Sequence, residues 1–290
     1  MSCREIGESI PLLKKYGMSI SVSFSKEEMT QEYANLFRRM NFMGVPFYLW
    51  LLLPDSDGYW VSRWNTKEFD SLIDKTLIWA RENGFSIPGI VIDLEPPFKK
   101  VNKKNLHPKT FAEAQESLQM TAKRLEKEGI KTLAPVMPFV TNELIKGNTF
   151  LQKRFQTPIS GWRVISPMMY TTGFESMSGG IIKRRMARWY AFRALSDFVK
   201  KFGASAGASL GIIGPGKLGN EISYSFPKEL QDDVGMALAA GITEISVFNL
   251  AGMVRSSNPE EWFRAVVEAK PQVPQKSLIG SIIYRLTKIF

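Results

Sequence analysis

The chain is poor in the residues that bind metals and form cross-links. Of its 290 residues, one is cysteine (Cys3) and one is histidine (His107). A single thiol excludes an internal disulfide and a Cys-based metal site. A single imidazole leaves too few nitrogen ligands for the centres that many isomerases and hydrolases build from several histidines. No cofactor and no metal are therefore expected. No apolar run approaches the roughly 20 residues a membrane helix needs. The opening residues, Met1 to Glu5, do not read as a secretory signal, so the cytoplasm is the default location. No glycine-rich phosphate loop follows any expected strand, which counts against a nucleotide-binding open sheet.

What is present is a balanced, basic, globular composition. Hydrophobic residues make up 44% and the formal net charge is +10. A basic balance favours an anionic partner such as an acidic glycan, a nucleic acid or a membrane surface. Lysines scattered over helices usually form solvated surface, and no stacking-and-basic motif of a nucleic-acid module occurs, so nucleic acid ranks last.

The chain is organised around Ile87–Pro97. Its apolar, β-branched start reads as a strand buried on both faces. It ends in Asp93 and Glu95, two apart and so on one face of the strand. Pro96 and Pro97 stop the ladder. Around this stretch, strands and helices alternate about seven times. Strands are expected at 18–23, 45–53, 87–95, 132–139, 163–172, 204–213 and 242–250. Ser25 and Glu28 form a capping box for a helix to about Asn41, and Thr141 caps one to about Phe155. Asn65 and Glu68 open a further helix. This order predicts one parallel-sheet α/β domain over residues 1–270, best matched by a (β/α)8 TIM-type barrel. A doubly wound sheet is the alternative. Because the chain opens on a helix, either that barrel lacks its first strand or the true start lies upstream. Residues 271–290 form a basic amphipathic tail, read either as a membrane-surface helix or as a helix packed on the domain. The oligomeric state is open.

Four segments in register resemble the chitinase-like family 18 glycoside hydrolases. Gly89-Ile-Val-Ile-Asp93-Leu-Glu95 looks like the second half of that family's Asp-x-x-Asp-x-Asp-x-Glu strand. Met168-Met169-Tyr170 looks like its Met-x-Tyr-Asp strand. Leu210–Gly214 and Gly241–Phe248 are similar to its seventh and eighth strands. The resemblance covers roughly residues 87–250 and implies a barrel glycosidase. Several positions depart from the pattern: Pro88 and Val91 replace the two earlier Asp residues, Thr171 the Asp after the tyrosine, and Phe248 the final Trp. These departures put an N-acetylhexosamine substrate in doubt and leave a non-catalytic, carbohydrate-binding barrel as the alternative.

Glycoside cleavage needs a proton donor at the leaving oxygen and stabilisation of an oxocarbenium-like centre. Glu95 is the candidate acid, assisted by Asp93, with Tyr170 as a hydrogen-bond donor to substrate. Asp55 and Asp57 are candidates for a base or nucleophile. Tyr59, Trp60, Trp64, Phe248 and Asn249 are candidates for holding sugar, the rings by stacking on C–H faces. Trp50, inside a strand, reads as core. A lysine-rich loop at 98–109, carrying His107, leaves the same strand end and would favour an anionic glycan.

Overall fold

In a computed structural model the described residues are 1–96, 109–215 and 221–289. The elements run α1 (Cys3–Lys15), β1 (Ile20–Phe24), α2 (Gln31–Met43), β2 (Phe47–Leu51), α3 (Thr66–Glu82) and β3 (Gly89–Val91). There follow α4 (Phe111–Lys127), β4 (Lys131–Val136), α5 (Thr141–Lys146), α6 (Phe150–Phe155), β5 (Val164–Pro167), α7 (Thr171–Met177) and α8 (Arg184–Phe202). The last are β6 (Gly207–Gly211), α9 (Pro227–Ala239), β7 (Glu244–Phe248), α10 (Leu250–Val254), α11 (Pro259–Val267) and α12 (Leu278–Thr287). They form two compact units. One holds Met1–Val136 with Leu151–Arg163, the other Met137–Phe150 with Val164–Phe290.

In the first unit β1, β2, β3 and β4 pair in sequence order, all parallel. Each is followed by a helix or a helical turn, as a parallel sheet with crossovers requires. The sheet packs on α2 and α3 through aromatic rings. Phe37 stacks on Phe47 at 4.7 Å between centroids, and Phe24 lies 5.3 Å from Trp79. Gly89 sets the β2–β3 approach, since a Cβ there would come within 2.2 Å of the Tyr48 ring.

In the second unit β6 and β7 are parallel, and β5 joins β6 through the Ile165–Ala206 and Met168–Ser209 bridges. The buried Ser166 and Ser209 hydroxyls are 2.8 Å apart. The tail becomes α12, which lies against α8. Trp189 Nε1 donates to Ser281 Oγ at 2.7 Å, and Asn142 Nδ2 donates to Thr287 Oγ1 at 2.7 Å. Asp197 on α8 receives Tyr284 Oη and Lys288 Nζ. Burial pushes the Asp197 carboxyl up, but these bonds and Lys200 outweigh it and hold it at about 2.

Several elements differ from the sequence expectation. The Ser25–Glu28 capping box is present but closes only a short 3-10 turn, and Thr30 caps α2. Thr141 lies inside a helix rather than capping it, and that helix ends at Gly147, whose left-handed φ of 74° lets the chain turn before α6. The expected strand at 163–172 stops at Pro167, because Thr171 and Thr172 enter α7 and bond inward. Among the described residues, no helix is long and apolar enough to cross a membrane.

Candidate active site

The first unit places the acid pair where its sheet ends. Beyond Val91 the chain stays extended beside β4: Ile92 N donates to Leu133 O at 2.9 Å and Leu94 N to Pro135 O at 3.1 Å. Ile92 and Leu94 point into the core, both buried. The strand's two-residue period therefore sets Asp93 and Glu95 together on the opposite face. Asp93 is 4% exposed and Glu95 is half-buried.

Their environment keeps protons on them. Burial raises the Asp93 carboxyl well above the ordinary range, and the neighbouring Glu95 raises it further. The Trp50 side chain, by hydrogen bonding, pulls the other way without offsetting this. Burial pushes Glu95 up to about 7, although a hydrogen bond from Asp93 favours its charged form. Two acids this close titrate as a pair, and the deeper Asp93 keeps its proton longer. Asp93 Oδ1 is buried with no hydrogen-bond partner at normal distance among the described residues.

The aromatic loop is stitched to this strand end. Val61 N donates to the Asp93 carbonyl at 3.1 Å, and Leu53 N to Tyr59 O at 3.0 Å. Inside the loop, fully buried Asn65 accepts from Ser62 N at 2.8 Å and donates to the carbonyls of Asp57 and Trp60, each at 2.8 Å. Its side chain thus shapes the loop and makes no cap bond to α3. Asp55 is exposed and Asp57 half-buried on a 3-10 turn. Tyr59 is half-buried, and its φ of 63° is unusual for a residue with a side chain. Trp60 is buried, its ring 5.4 Å from Tyr59, and Arg63 covers one face of Trp64 at 3.7 Å. Trp64, like Tyr59, is half-buried.

Sequence reasoning missed two residues here. Trp50, read as core, is half-buried and acts on Asp93; it pairs in register with Val91, two residues before the acid. Asn65 was read only as a helix opener. The uniformly apolar β2 hid the first, and an ordinary helix-start motif hid the second.

The second unit holds the other candidates. Tyr170 and Phe248 stack at 6.2 Å and are both half-buried. Asn249 is occupied structurally: its Oδ1 accepts from Gly252 N at 2.8 Å and its Nδ2 donates to Pro215 O at 3.3 Å. Thr171, which stands where the Met-x-Tyr-Asp pattern has its Asp, turns inward and donates to Asp233. The basic stretch 98–108 with His107 lies outside the described residues. Lys109, at its end, donates to Ser117 Oγ at 2.7 Å and serves the fold.

No protein-family model matches this chain. No curated protein matches it either. Solved structures do. The glycoside hydrolase domain of PgaB (BpsB) from Bordetella bronchiseptica aligns over 91% of this chain and 93% of its own, with TM-score 0.52 and 9% identity. A chitinase from Chromobacterium violaceum aligns over 89% and 94%, with TM-score 0.52 and 10% identity. A glycoside hydrolase family 5 enzyme from Prevotella bryantii, solved with a xyloglucan tetradecasaccharide, aligns over 91% and 86%, with TM-score 0.54 and 11% identity. The likeness is one of fold, shared with TIM-barrel glycoside hydrolases of more than one family.

Proposed function

We propose that this chain is a glycoside hydrolase of the (β/α)8-barrel type, acting on a polysaccharide or glycan, with Glu95 as general acid and Asp93 assisting. One observation carries the reading: a carboxyl raised to about 7 sits beside a second, more deeply buried carboxyl at the end of a parallel strand. Strand ends of this kind are where barrels place their chemistry. Below pH 7 Glu95 holds the proton that a glycosidic leaving oxygen requires. Asp93 holds its own proton and donates to Glu95 once Glu95 has given its proton away.

Asp55 and Asp57, on the loop tied to the Asp93 carbonyl, are the candidates for the second carboxylate role. Tyr59 and Trp64, both half-buried, are the candidates for stacking on sugar. The net charge of +10 favours an anionic glycan. The β3 sequence keeps the likeness to family 18, while the inward turn of Thr171 argues against that family's grip on an N-acetyl group.

The test is turnover on a panel of polysaccharides by the wild type and Glu95→Gln. Loss of roughly 10²–10⁴-fold in kcat, with glycan binding retained, is expected. Equal turnover by the two proteins removes Glu95 from the chemistry. Glycan binding by both, with turnover by neither, would leave a carbohydrate-binding barrel.

A further inference from the structure

Helix α12 is attached by the wrong face for an ordinary surface helix. Amphipathic helices turn their apolar stripe to the core. Here the inward residues are Ser281 and Tyr284, bonded to α8, and Thr287, bonded to Asn142 of α5, together with Gly280. A Cβ at Gly280 would come within 2.6 Å of the Met186 carbonyl. The aliphatic side chains face out: Leu278 is 77% exposed, Ile279 46%, Ile282 48%, Leu286 54% and Ile289 73%. At 100° per residue the four that lie within the helix, Leu278, Ile279, Ile282 and Leu286, fall within an arc of about 100°. Arg285, exposed, borders the arc on one side, and exposed Lys276 precedes the helix's N-cap, Ser277. From residue 269 to 289 there is no acidic residue.

We infer that the outward face of α12 is a docking surface for an anionic lipid bilayer. The aliphatic arc would enter the acyl boundary while Lys276 and Arg285 meet headgroup phosphates. An apolar face rimmed by cations and free of acids has the composition of interfacial helices. A second copy of the chain fits less well. Two such faces packed on a twofold axis would oppose like charges, and a single helix of 10 residues offers little of the roughly 1,000 Å² or more that a stable interface buries. Because α12 is held by its polar side, insertion requires no detachment from α8. The surface lies apart from Glu95 and Asp93 in sequence, and the inference does not depend on the proposed glycosidase activity.

The test is co-sedimentation of the full chain with two kinds of vesicle: phosphatidylcholine alone, and equal parts phosphatidylcholine and phosphatidylglycerol. Partition onto the mixed vesicles should be roughly tenfold or more stronger and should fall with salt. The double variant Ile282→Asp with Leu286→Asp should lose about tenfold or more of that binding while circular dichroism and Tm stay unchanged. If it fails to fold, Ile282→Ser with Leu286→Ser replaces it. Lys276→Gln with Arg285→Gln should weaken binding severalfold. Equal vesicle binding by the wild type and the aliphatic variants overturns the assignment. So does a wild-type dimer in sedimentation velocity that those variants dissociate, which would give the face to a second copy. Equal partition onto neutral and mixed vesicles overturns the anionic part.

Discussion

Each unit buries an aspartate, and the two are treated in opposite ways. Asp233, on α9, is fully buried and surrounded by donors. Arg188 from α8 pairs with it, Thr171 Oγ1 donates to it, and Tyr224 Oη donates at 2.6 Å. Arg188 also reaches the Glu229 carbonyl at 3.0 Å. Burial and the adjacent Asp233 together drive the Tyr224 hydroxyl well above its ordinary range, so it stays a donor. Asp93 is about as deep, but among the described residues its companions are an indole and a second carboxyl, and no cation acts on either acid. One site balances a buried charge and serves the fold. The other suppresses the charge and stores a proton. A buried acid of the second kind is a costly arrangement for stability and a useful one for acid catalysis.

The comparison can be broken at several points. The largest effect is expected from Arg188→Ala, which leaves Asp233 buried without its counter-charge. Unfolding by denaturant should show a loss of about 3–5 kcal/mol. A loss below roughly 1 kcal/mol would mean that the hydroxyls alone satisfy Asp233.

Next comes the pH dependence of stability at the acid pair. Glu95 ionises near 4.5 when unfolded and at about 7 when folded. Between those values the folded protein holds a proton that the unfolded chain has released. Stability is therefore full below pH 4.5, falls as pH rises through this window, and levels off above 7, by roughly 3 kcal/mol at most. Asp93, raised in the same direction, extends the fall upward. Glu95→Gln should flatten the profile and be more stable than the wild type at pH 8 but not at pH 4. A wild-type profile that rises from pH 5 to 8 would show that the pair is ionised and balanced, as at Asp233. In turnover, the basic limb of the wild type should lie near pH 7, where Glu95 loses its proton.

The smallest effect is expected from Thr171→Val, which removes one of three donors to Asp233 and should cost about 1–2 kcal/mol. Turnover should stay within about twofold if Thr171 serves the fold alone. A much larger loss of activity at unchanged stability would join this residue to the chemistry.

The neighbourhood of the acid pair was legible in large part. The β-branched run, the spacing of Asp93 and Glu95 and the following prolines all act within a few residues of one another. So did the strand–helix alternation and most helix starts, where a cap and its partner are three residues apart. The errors share another cause. Thr171 read as strand because its partner, Asp233, is 62 positions away. Arg188 drew no notice, since the carboxylate it meets is 45 positions away. Trp50 passed for core because only the pairing of β2 with β3 brings it to Asp93. For Trp60 and Asn249, named as sugar contacts, the structure shows a ring buried beside Tyr59 and a side chain that caps α10.

By itself the sequence determined which residues alternate in and out, the order in which strands and helices follow one another, and that two carboxyls would share one face of one strand. These follow from backbone geometry and near neighbours, which a linear reading contains. Only the tertiary structure decided the charge state of each buried acid and which face of the tail helix meets the protein. Both depend on desolvation and on partners supplied by distant segments, and an electric field of that kind exists only after the chain has folded.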